Sequence, residues 1–250
     1  MVDYDDRLHS VYAAGRAIGQ ETIDAWMHAF AEVVPPQRPL TVLDLGSGTG
    51  RFTGALAETF GGPAYGVEPS ARMREQAPAH PGVTYLEGSA EAIPMPDASC
   101  DVALLYLSFH HFTDQQQAFH ELHRVLRPGG VVLLRSQFAD RMPDLPWYRY
   151  FPSARAVDAA MYRTVEETER LARAANLVPD DEVRVVEAER QRTLETLYER
   201  MSTRALSTFE HLPADEMDAG FEQFRRDAVA DPDRPTPVIP ATVMVLRRVA

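Results

Sequence analysis

The chain has no lysine, and all 25 of its basic residues are arginines, against 37 acidic residues, so its formal net charge is −12. Proteins that hold nucleic acid through its phosphates, or that dock on an anionic membrane, need a basic face. The charge balance therefore argues against nucleic acid and against a membrane as a partner.

Cysteine and long apolar runs are scarce as well. Cys100 is the single cysteine, which excludes an intramolecular disulfide and a disulfide-stapled secreted fold. No apolar run approaches the roughly 18–20 residues that span a bilayer, and the acidic stretch at residues 1–6 lacks the apolar region of a signal peptide. We therefore expect a cytoplasmic protein, whose 45% hydrophobic content is sufficient for a globular core.

Short apolar strands alternate with amphipathic helices in the first half of the chain. This alternation predicts an α/β fold, a doubly wound parallel sheet with helices on both faces. The predicted strands cover residues 41–45, 64–67, 83–86, 100–106 and 131–135, and the predicted helices cover residues 51–60, 70–76 and 114–126. The other predicted segments are two helices within 8–34 broken near Gly19, a helix at 164–175, a strand at 182–188, a helix through Leu194, Leu197, Tyr198 and Met201, and a last strand at 241–247.

The most informative motif is the glycine-rich segment Gly46-Ser47-Gly48-Thr49-Gly50, which follows the first predicted strand. Glycines there let the backbone turn tightly and approach a ligand closely, and ligands of doubly wound sheets bind at the carboxyl ends of the strands. Glu68, at the end of the second strand, is an acid that can accept hydrogen bonds from both ribose hydroxyls of an adenosine-containing cofactor. The combination predicts a nucleoside cofactor.

A nicotinamide dehydrogenase would use the same two features, but two residues argue against it. The third glycine of its fingerprint would fall at position 51, which is Arg51. Asp44 stands two residues before the first glycine, where its carboxylate would repel a pyrophosphate and attract an ammonium or a sulfonium. The residues favour a cationic cofactor, with an NAD-dependent oxidoreductase as the less favoured alternative.

Over residues 41–135 the sequence resembles the class I S-adenosylmethionine-dependent methyltransferases, and it is most similar to the methyltransferase type 11 branch of ubiquinone and menaquinone biosynthesis. The resemblance rests on residues 42–50, 65–70 with Met73, 88–97, 101–111 and 126–130. It implies a Rossmann-like sheet of seven strands with an antiparallel last strand, and S-adenosyl-L-methionine as the cofactor.

The resemblance also implies which residues contact the cofactor. They are Asp44, Gly46, Gly48, Glu68, Pro69, Met73, Ser89, Ala90, Glu91 and Tyr106. The first three would surround the methionine part, and Glu68 would hold the ribose. The residues that would pack around the adenine are Pro69, Met73, Ser89, Ala90 and Glu91. Ser89 and Tyr106 stand where relatives often have Asp and Asn.

Methyl transfer from a sulfonium needs an aligned acceptor and, for many acceptors, a base that removes a proton. His110 and His111 follow the fourth strand at the same rim as the glycine loop, and either is a candidate for that base. The alternative is a structural histidine that packs beneath the loop. Although His120 and His123 are close in sequence, the helical pattern turns His120 into solvent and no cysteine or carboxylate pair completes a zinc-like spacing, so we predict no metal site.

The acceptor side is expected in the variable parts of the chain. We predict a single methyltransferase domain over 1–250, with an N-terminal helical lid at 1–35, a cofactor-binding core at 36–135, and the remaining strands with helical acceptor-side insertions at 136–250. The aromatic stretch 146–152 is either the lining of an acceptor pocket or the core of the helical cover.

Several arginines and N-terminal residues are open to two interpretations. The cluster Arg135, Arg141, Arg149 and Arg155 is weak evidence for an anionic acceptor. Tyr4, Tyr12 and Arg16 are candidates to close over the cofactor, or else surface residues of a helix.

The function that these residues favour is methyl transfer from S-adenosyl-L-methionine to oxygen or carbon of a small molecule, a specialised metabolite. The main alternative is a cofactor-bound catalyst or scaffold on the same fold that does not transfer methyl, since fold does not fix function. The sequence indicates no oligomeric state.

Overall fold

The computed structural model describes residues 18–188 and 190–249 of the chain. Within them the helices are α1 (Gln20–Ala31), α2 (Thr53–Phe60), α3 (Ala71–Glu75), α4 (Gln115–Val125), α5 (Ala154–Met161), α6 (Val165–Ala174), α7 (Leu194–Ser202) and α8 (Ala214–Ala230). The strands are β1 (Leu40–Leu45), β2 (Gly61–Val67), β3 (Val83–Leu86), β4 (Cys100–Tyr106), β5 (Leu126–Ser136), β6 (Leu177–Pro179), β7 (Arg184–Val186) and β8 (Ala241–Arg248).

All eight strands join one sheet, in the order β3-β2-β1-β4-β5-β8-β6, with β7 also paired to β8. The strands β1 to β5 are mutually parallel, and β8 runs antiparallel to β5. The strand order reverses between β1 and β4, which makes the carboxyl ends of these strands the expected ligand site. The predicted doubly wound sheet and its antiparallel last strand are confirmed.

The seven predicted strands correspond to seven positions in the sheet, and β6 and β7 share the position at one edge. β6 pairs with Leu246–Arg248 of β8, and β7 pairs with residues 241–243 of the same strand. The sheet therefore has seven positions and eight strands. The predicted strand at 182–188 is real only over Arg184–Val186, and β6 was not predicted because a three-residue strand leaves no periodic pattern.

Alternate side chains of the central strands enter two separate cores, as expected for a sheet covered on both faces. Leu43, Ala103 and Val132 belong to the core beneath α4 and α6, whereas Val42 and Val102 belong to the core beneath α1 and α2. All five side chains are fully buried. The two cores fix the register of the strands and hence the position of the loops at their carboxyl ends.

A third core holds together the helical cover after β5. It contains the aromatic residues of the stretch 146–152, which pack with α7 and α8. Gly220 of α8 lies against this stretch so closely that an added Cβ would stand 2.5 Å from the Tyr150 carbonyl oxygen. The aromatic stretch is therefore mainly core of the cover, and only Pro146 and Trp147 of it also face a cavity.

Three segments differ from the sequence-based expectation. The structure adds α5, in a region that the sequence analysis treated as irregular, and the insertion after Leu194 contains two helices, α7 and α8. The segment 127–130, which separates the predicted helix at 114–126 from the predicted strand at 131–135, lies inside β5 as an irregularity in its pairing with β4. Of the N-terminal lid, α1 is described, whereas Tyr4, Tyr12 and Arg16 lie outside the described residues.

The described helices include none with the length and apolar composition needed to cross a bilayer. The described side chains also form no group of three or more His, Cys, Asp or Glu that could hold a metal ion.

Candidate functional site

The glycine loop connects β1 to α2 at the reversal of strand order. Gly46, Gly48 and Gly50 all have positive φ angles, of 73°, 57° and 72°, which side-chain-bearing residues rarely adopt. Ser108, just after β4, packs against Gly46, and its hydroxyl donates to the Leu45 carbonyl oxygen at 2.8 Å. The loop is thus shaped by its own glycines and held from below by the neighbouring strand.

Asp44 ends β1 directly beneath this loop and is 3% exposed. The Thr53 hydroxyl at the start of α2 donates to its Oδ2 at 2.7 Å. Burial raises the pKa of Asp44 from 3.8 to about 6, because water no longer solvates the charged form and a single neutral donor replaces it only partly. A positive group bound at the loop would restore the preference for the carboxylate form.

Glu68 directly follows β2 and is held in place by two backbone amides. Its Oε2 accepts from Gly48 N at 3.0 Å, and its Oε1 accepts from Ser70 N at 3.0 Å. Each carboxylate oxygen has two lone-pair sites and can accept more than one hydrogen bond. Glu68 therefore ties the glycine loop to the end of β2.

The predicted adenine-side residues lie at the ends of β2 and in the segment after β3. Met73 of α3 is buried, Pro69 is exposed, and Ser70 caps α3 by accepting from Met73 N. Ala90 is buried beside partly exposed Ser89. Glu91 Oε1 accepts from the amides of Thr113 and Asp114 at 2.8 and 3.1 Å, which orders the loop that leads into α4.

Tyr106, the last residue of β4, packs its ring among aromatic neighbours. Its centroid lies 4.3 Å from that of Phe52 and 5.4 Å from that of Trp26. The Arg135 guanidinium lies 5.8 Å from the same ring. This environment joins the end of β4 to α1 and to the end of β5.

The two candidate base residues lie in a 3-10 turn over Phe109–His111, just past β4. Their imidazole centroids are 3.8 Å apart, and His110 also lies 4.6 Å from the Tyr162 ring. His120, by contrast, is exposed on α4, as the helical pattern predicted.

A cavity of about 230 Å³ lies between this rim and the helical cover. Leu107 and His110 line it from the end of β4, Arg135 and Gln137 from the end of β5, and Trp147 from the cover. Ser108, which packs on Gly46, lies between Leu107 and His110 in the sequence, so the cavity is lined by sequence neighbours of the residue that supports the glycine loop. Of the two histidines, His110 is the one that lines the cavity within the described residues.

Four residues of the site were not identified from the sequence. Thr53 and Ser108 act through hydrogen bonds to groups distant in sequence, and Tyr85 fills the space beside Gly50 and Gly66. Gln137 follows β5, where no motif marks it. The spacing of Thr53, three residues after the last glycine, was the only available signal among these.

Cys100 contributes no chemistry here. It is fully buried at the start of β4, its thiol donates to the Val125 carbonyl oxygen at 3.4 Å, and burial raises its pKa to about 12. A thiol with that pKa is not a nucleophile near neutral pH.

Comparison with known proteins adds independent findings on the same region. Residues 43–134 match a family described as "Methyltransferase domain". A ubiquinone/menaquinone biosynthesis C-methyltransferase from Rubrivivax gelatinosus is 36% identical over 110 residues, 43% of this chain and 43% of that protein. The chain spans about half the length of the curated relatives that it matches in this way.

Solved structures extend the likeness of fold to nearly the whole chain. A protein from Anabaena variabilis, described as a methyltransferase from an antibiotic biosynthesis pathway, has a TM-score of 0.74 at 22% identity and covers 91% of this chain and 99% of that chain. A (4+2)-cyclase has a TM-score of 0.64 at 18% identity over 99% of this chain and 93% of that chain.

Proposed function

We propose that this protein transfers a methyl group from S-adenosyl-L-methionine to a small-molecule acceptor. The premise is that residues 43–134 are a methyltransferase domain of the ubiquinone/menaquinone type. The observation that carries the proposal is the pair of buried carboxylates, Asp44 and Glu68, on either side of the glycine loop. Asp44 suits a cationic centre, and Glu68 suits a diol. S-adenosyl-L-methionine carries both groups.

The residues of the loop fit this cofactor on physical grounds. The raised pKa of Asp44 reports a buried acid whose charged form is poorly solvated, and the ammonium or sulfonium of the cofactor would stabilise that form. The Glu68 carboxylate is an acceptor of the kind that two ribose hydroxyls require, and the glycines leave the backbone bare for close approach. A pyrophosphate next to Asp44 would instead be repelled, which disfavours NAD.

The remaining cofactor contacts are proposed from the family resemblance. Gly46 and Gly48 would border the methionine part, and Tyr106 would close that end. Pro69, Met73, Ser89, Ala90 and Glu91 would surround the adenine. Bound S-adenosyl-L-methionine supplies an electrophilic methyl group on a sulfonium, and the chain supplies the alignment of the acceptor.

We propose His110 as the group that takes the proton from the acceptor. It lines the cavity beside the glycine loop, whereas His111, on the same turn, contributes its ring as a neighbour of His110. An imidazole nitrogen is a common general base in enzymes and is suited to this transfer. The acceptor atom would be an oxygen or an acidic carbon, because those lose a proton on methylation.

A methyl-transfer assay tests this function. The full chain is incubated with methyl-labelled S-adenosyl-L-methionine and a panel of phenols, quinols and hydroxylated acids, and we expect labelled product from at least one of them. His110→Ala should lower turnover about 10²–10⁴-fold with cofactor affinity unchanged.

His120→Ala is the matched control, because His120 is an exposed histidine on α4. Its turnover should equal that of the unmodified chain. Tight cofactor binding with no labelled product across the panel would favour a catalyst that does not transfer methyl, as the fold shared with a (4+2)-cyclase permits. A cytoplasmic location, favoured by the single cysteine, and a specialised metabolite as acceptor stay predictions.

A further inference from the structure

The cavity beside the glycine loop has a charge opposite to that of the chain. Five arginines line it, against one carboxylate among the described lining residues. They are Arg135, Arg141, Arg190, Arg192 and Arg200. The whole chain carries a formal charge of −12. The arginines around this cavity therefore do not reflect the average charge of the chain.

The one carboxylate of the cavity, Asp158, does not neutralise these arginines. It is buried, its Oδ2 accepts from the Tyr148 hydroxyl at 2.6 Å, and its Oδ1 accepts from the Thr208 hydroxyl at 2.5 Å. Burial raises its pKa, so its charged form is disfavoured. The Asp158 carboxyl is thus engaged by two hydroxyl groups, and it forms no ion pair with an arginine among the described lining residues.

Arg135 provides N–H groups with unmet hydrogen bonds. Its guanidinium lies 5.9 Å from the Trp26 ring and 5.8 Å from the Tyr106 ring, while its Nε and Nη1 are buried and hydrogen-bonded to no group in the described part of the chain. A buried donor without an acceptor is costly, and an anion is the strongest acceptor for a guanidinium. The Gln137 side-chain oxygen, also buried and without a donor among the described residues, lies two residues further on.

Arg141 adds a second guanidinium at the exposed rim, with no side-chain hydrogen bond or ion pair to any described residue. Arg190, Arg192 and Arg200 already have partners, Arg190 in an ion pair with Glu21 at 2.7 Å. Arg135 inside and Arg141 at the mouth are thus the arginines best placed to hold a ligand.

We infer that the methyl acceptor is an organic anion, whose carboxylate or phosphate is held by Arg135 and Arg141 while its apolar part lies against Trp147 and Met201. This inference rests on the proposed function, since it names the substrate class of that same site. The buried Gln137 oxygen adds a place for a hydroxyl group of the same molecule.

Fragment binding to the full chain tests the inference without knowledge of the natural acceptor. Benzoate, phenyl phosphate and neutral benzamide are titrated by saturation-transfer NMR in the presence of S-adenosylhomocysteine. We expect the anions to bind and benzamide to bind far more weakly. Arg135→Gln and Arg141→Gln should each weaken the anions roughly ten- to hundredfold, the effect of a lost charge-assisted hydrogen bond. A preference for phenyl phosphate over benzoate would assign the anion as a phosphate, and the reverse as a carboxylate.

Arg173→Gln is the matched control, because it removes the same charge from an exposed position on α6, where Arg173 pairs with Glu169. Its fragment affinities should be unchanged. Arg141 is exposed, so its variant keeps the fold even if Arg135→Gln does not. No anion binding, equal binding of benzamide, or unchanged anion affinity in Arg141→Gln would overturn the inference.

The cofactor arm of the experiment separates this inference from the proposed function. S-adenosylhomocysteine affinity is measured by calorimetry in every variant. No cofactor binding by the unmodified chain would remove the proposed function itself. A loss of cofactor affinity in Arg135→Gln as large as the loss of anion affinity would assign this arginine to the cofactor and overturn the inference.

Discussion

The buried carboxyl group of Asp44 lowers the stability of the cofactor-free fold and favours the binding of a cationic cofactor. It is almost fully buried, and the neutral Thr53 hydroxyl donates a hydrogen bond to it, so its charged form is held at a cost until a cation arrives. The pKa raised to about 6 in the folded chain, against 3.8 ordinarily, means that the folded state binds its proton more tightly than the unfolded state does. The free energy of unfolding of the free protein should then fall as the pH rises through the interval between these two values.

Asp44→Asn should therefore stabilise the cofactor-free chain at pH 7. A pKa difference of about two units corresponds to roughly 3 kcal/mol, which is the upper limit of the gain. The gain should disappear at pH 4, where the native carboxyl is protonated. Denaturant unfolding at both pH values measures it, and an equal effect at pH 4 and pH 7 would contradict the assigned charge.

The same residue makes cofactor binding depend on pH. Because the cationic cofactor favours the carboxylate form, affinity should fall as the pH decreases below about 6, and Asp44→Asn should bind weakly at every pH. Calorimetric titration with S-adenosyl-L-methionine between pH 5 and pH 8 provides the measurement. A flat profile in the unmodified chain would show that Asp44 does not face the positive group.

At the scale of elements, the glycine loop is defined by what surrounds it. Gly46 and Gly61 both have φ near +70°, at the two ends of the loop–α2 unit. An added Cβ at Gly46 would lie 2.5 Å from Ser108 Cβ. An added Cβ at Gly61 would have no described atom within 4 Å apart from its chain neighbours. An alanine at Gly61 would therefore introduce backbone strain alone, whereas an alanine at Gly46 would introduce the same strain and a steric clash.

Gly61→Ala should lower the free energy of unfolding by about 1–2 kcal/mol, the cost of a left-handed conformation for alanine. Gly46→Ala should cost more, because its Cβ also displaces Ser108 and the end of β4. Cofactor affinity should be lost in Gly46→Ala and kept in Gly61→Ala. Equal stability and affinity in the two variants would mean that the contact with Ser108 does not shape the loop.

Element order was readable from the sequence wherever hydrophobic periodicity was strong. β3, β4 and α6 lie within a residue or so of their predicted bounds, since apolar strands and a Thr164 capping box mark them directly. The edge strands β6 and β7 and the helix α5 have no such pattern, because short elements are fixed by tertiary pairing and packing.

At the scale of the whole molecule, the cofactor side of the site was far more predictable than the acceptor side. Asp44 and the glycines lie in one continuous motif, and Glu68 directly follows the neighbouring strand β2. Their proximity therefore follows from the parallel sheet. The cavity is assembled from residues more than 130 positions apart, from Leu107 to Thr242, and no local pattern reveals it. The arginine cluster seen in sequence divides accordingly, since Arg135 and Arg141 line the cavity, while Arg149 and Arg155 pair with acids of the cover.

The central claim is that two carboxylates and a glycine loop form a site for S-adenosyl-L-methionine. Calorimetric titration of the full chain with S-adenosylhomocysteine and with NAD, in parallel with Glu68→Gln, tests it most directly. The account predicts binding of S-adenosylhomocysteine, far weaker binding of NAD, and a loss of about 1.5–3 kcal/mol in Glu68→Gln, the scale of a hydrogen bond to a charged group. Tight binding of NAD with no heat from S-adenosylhomocysteine would contradict it.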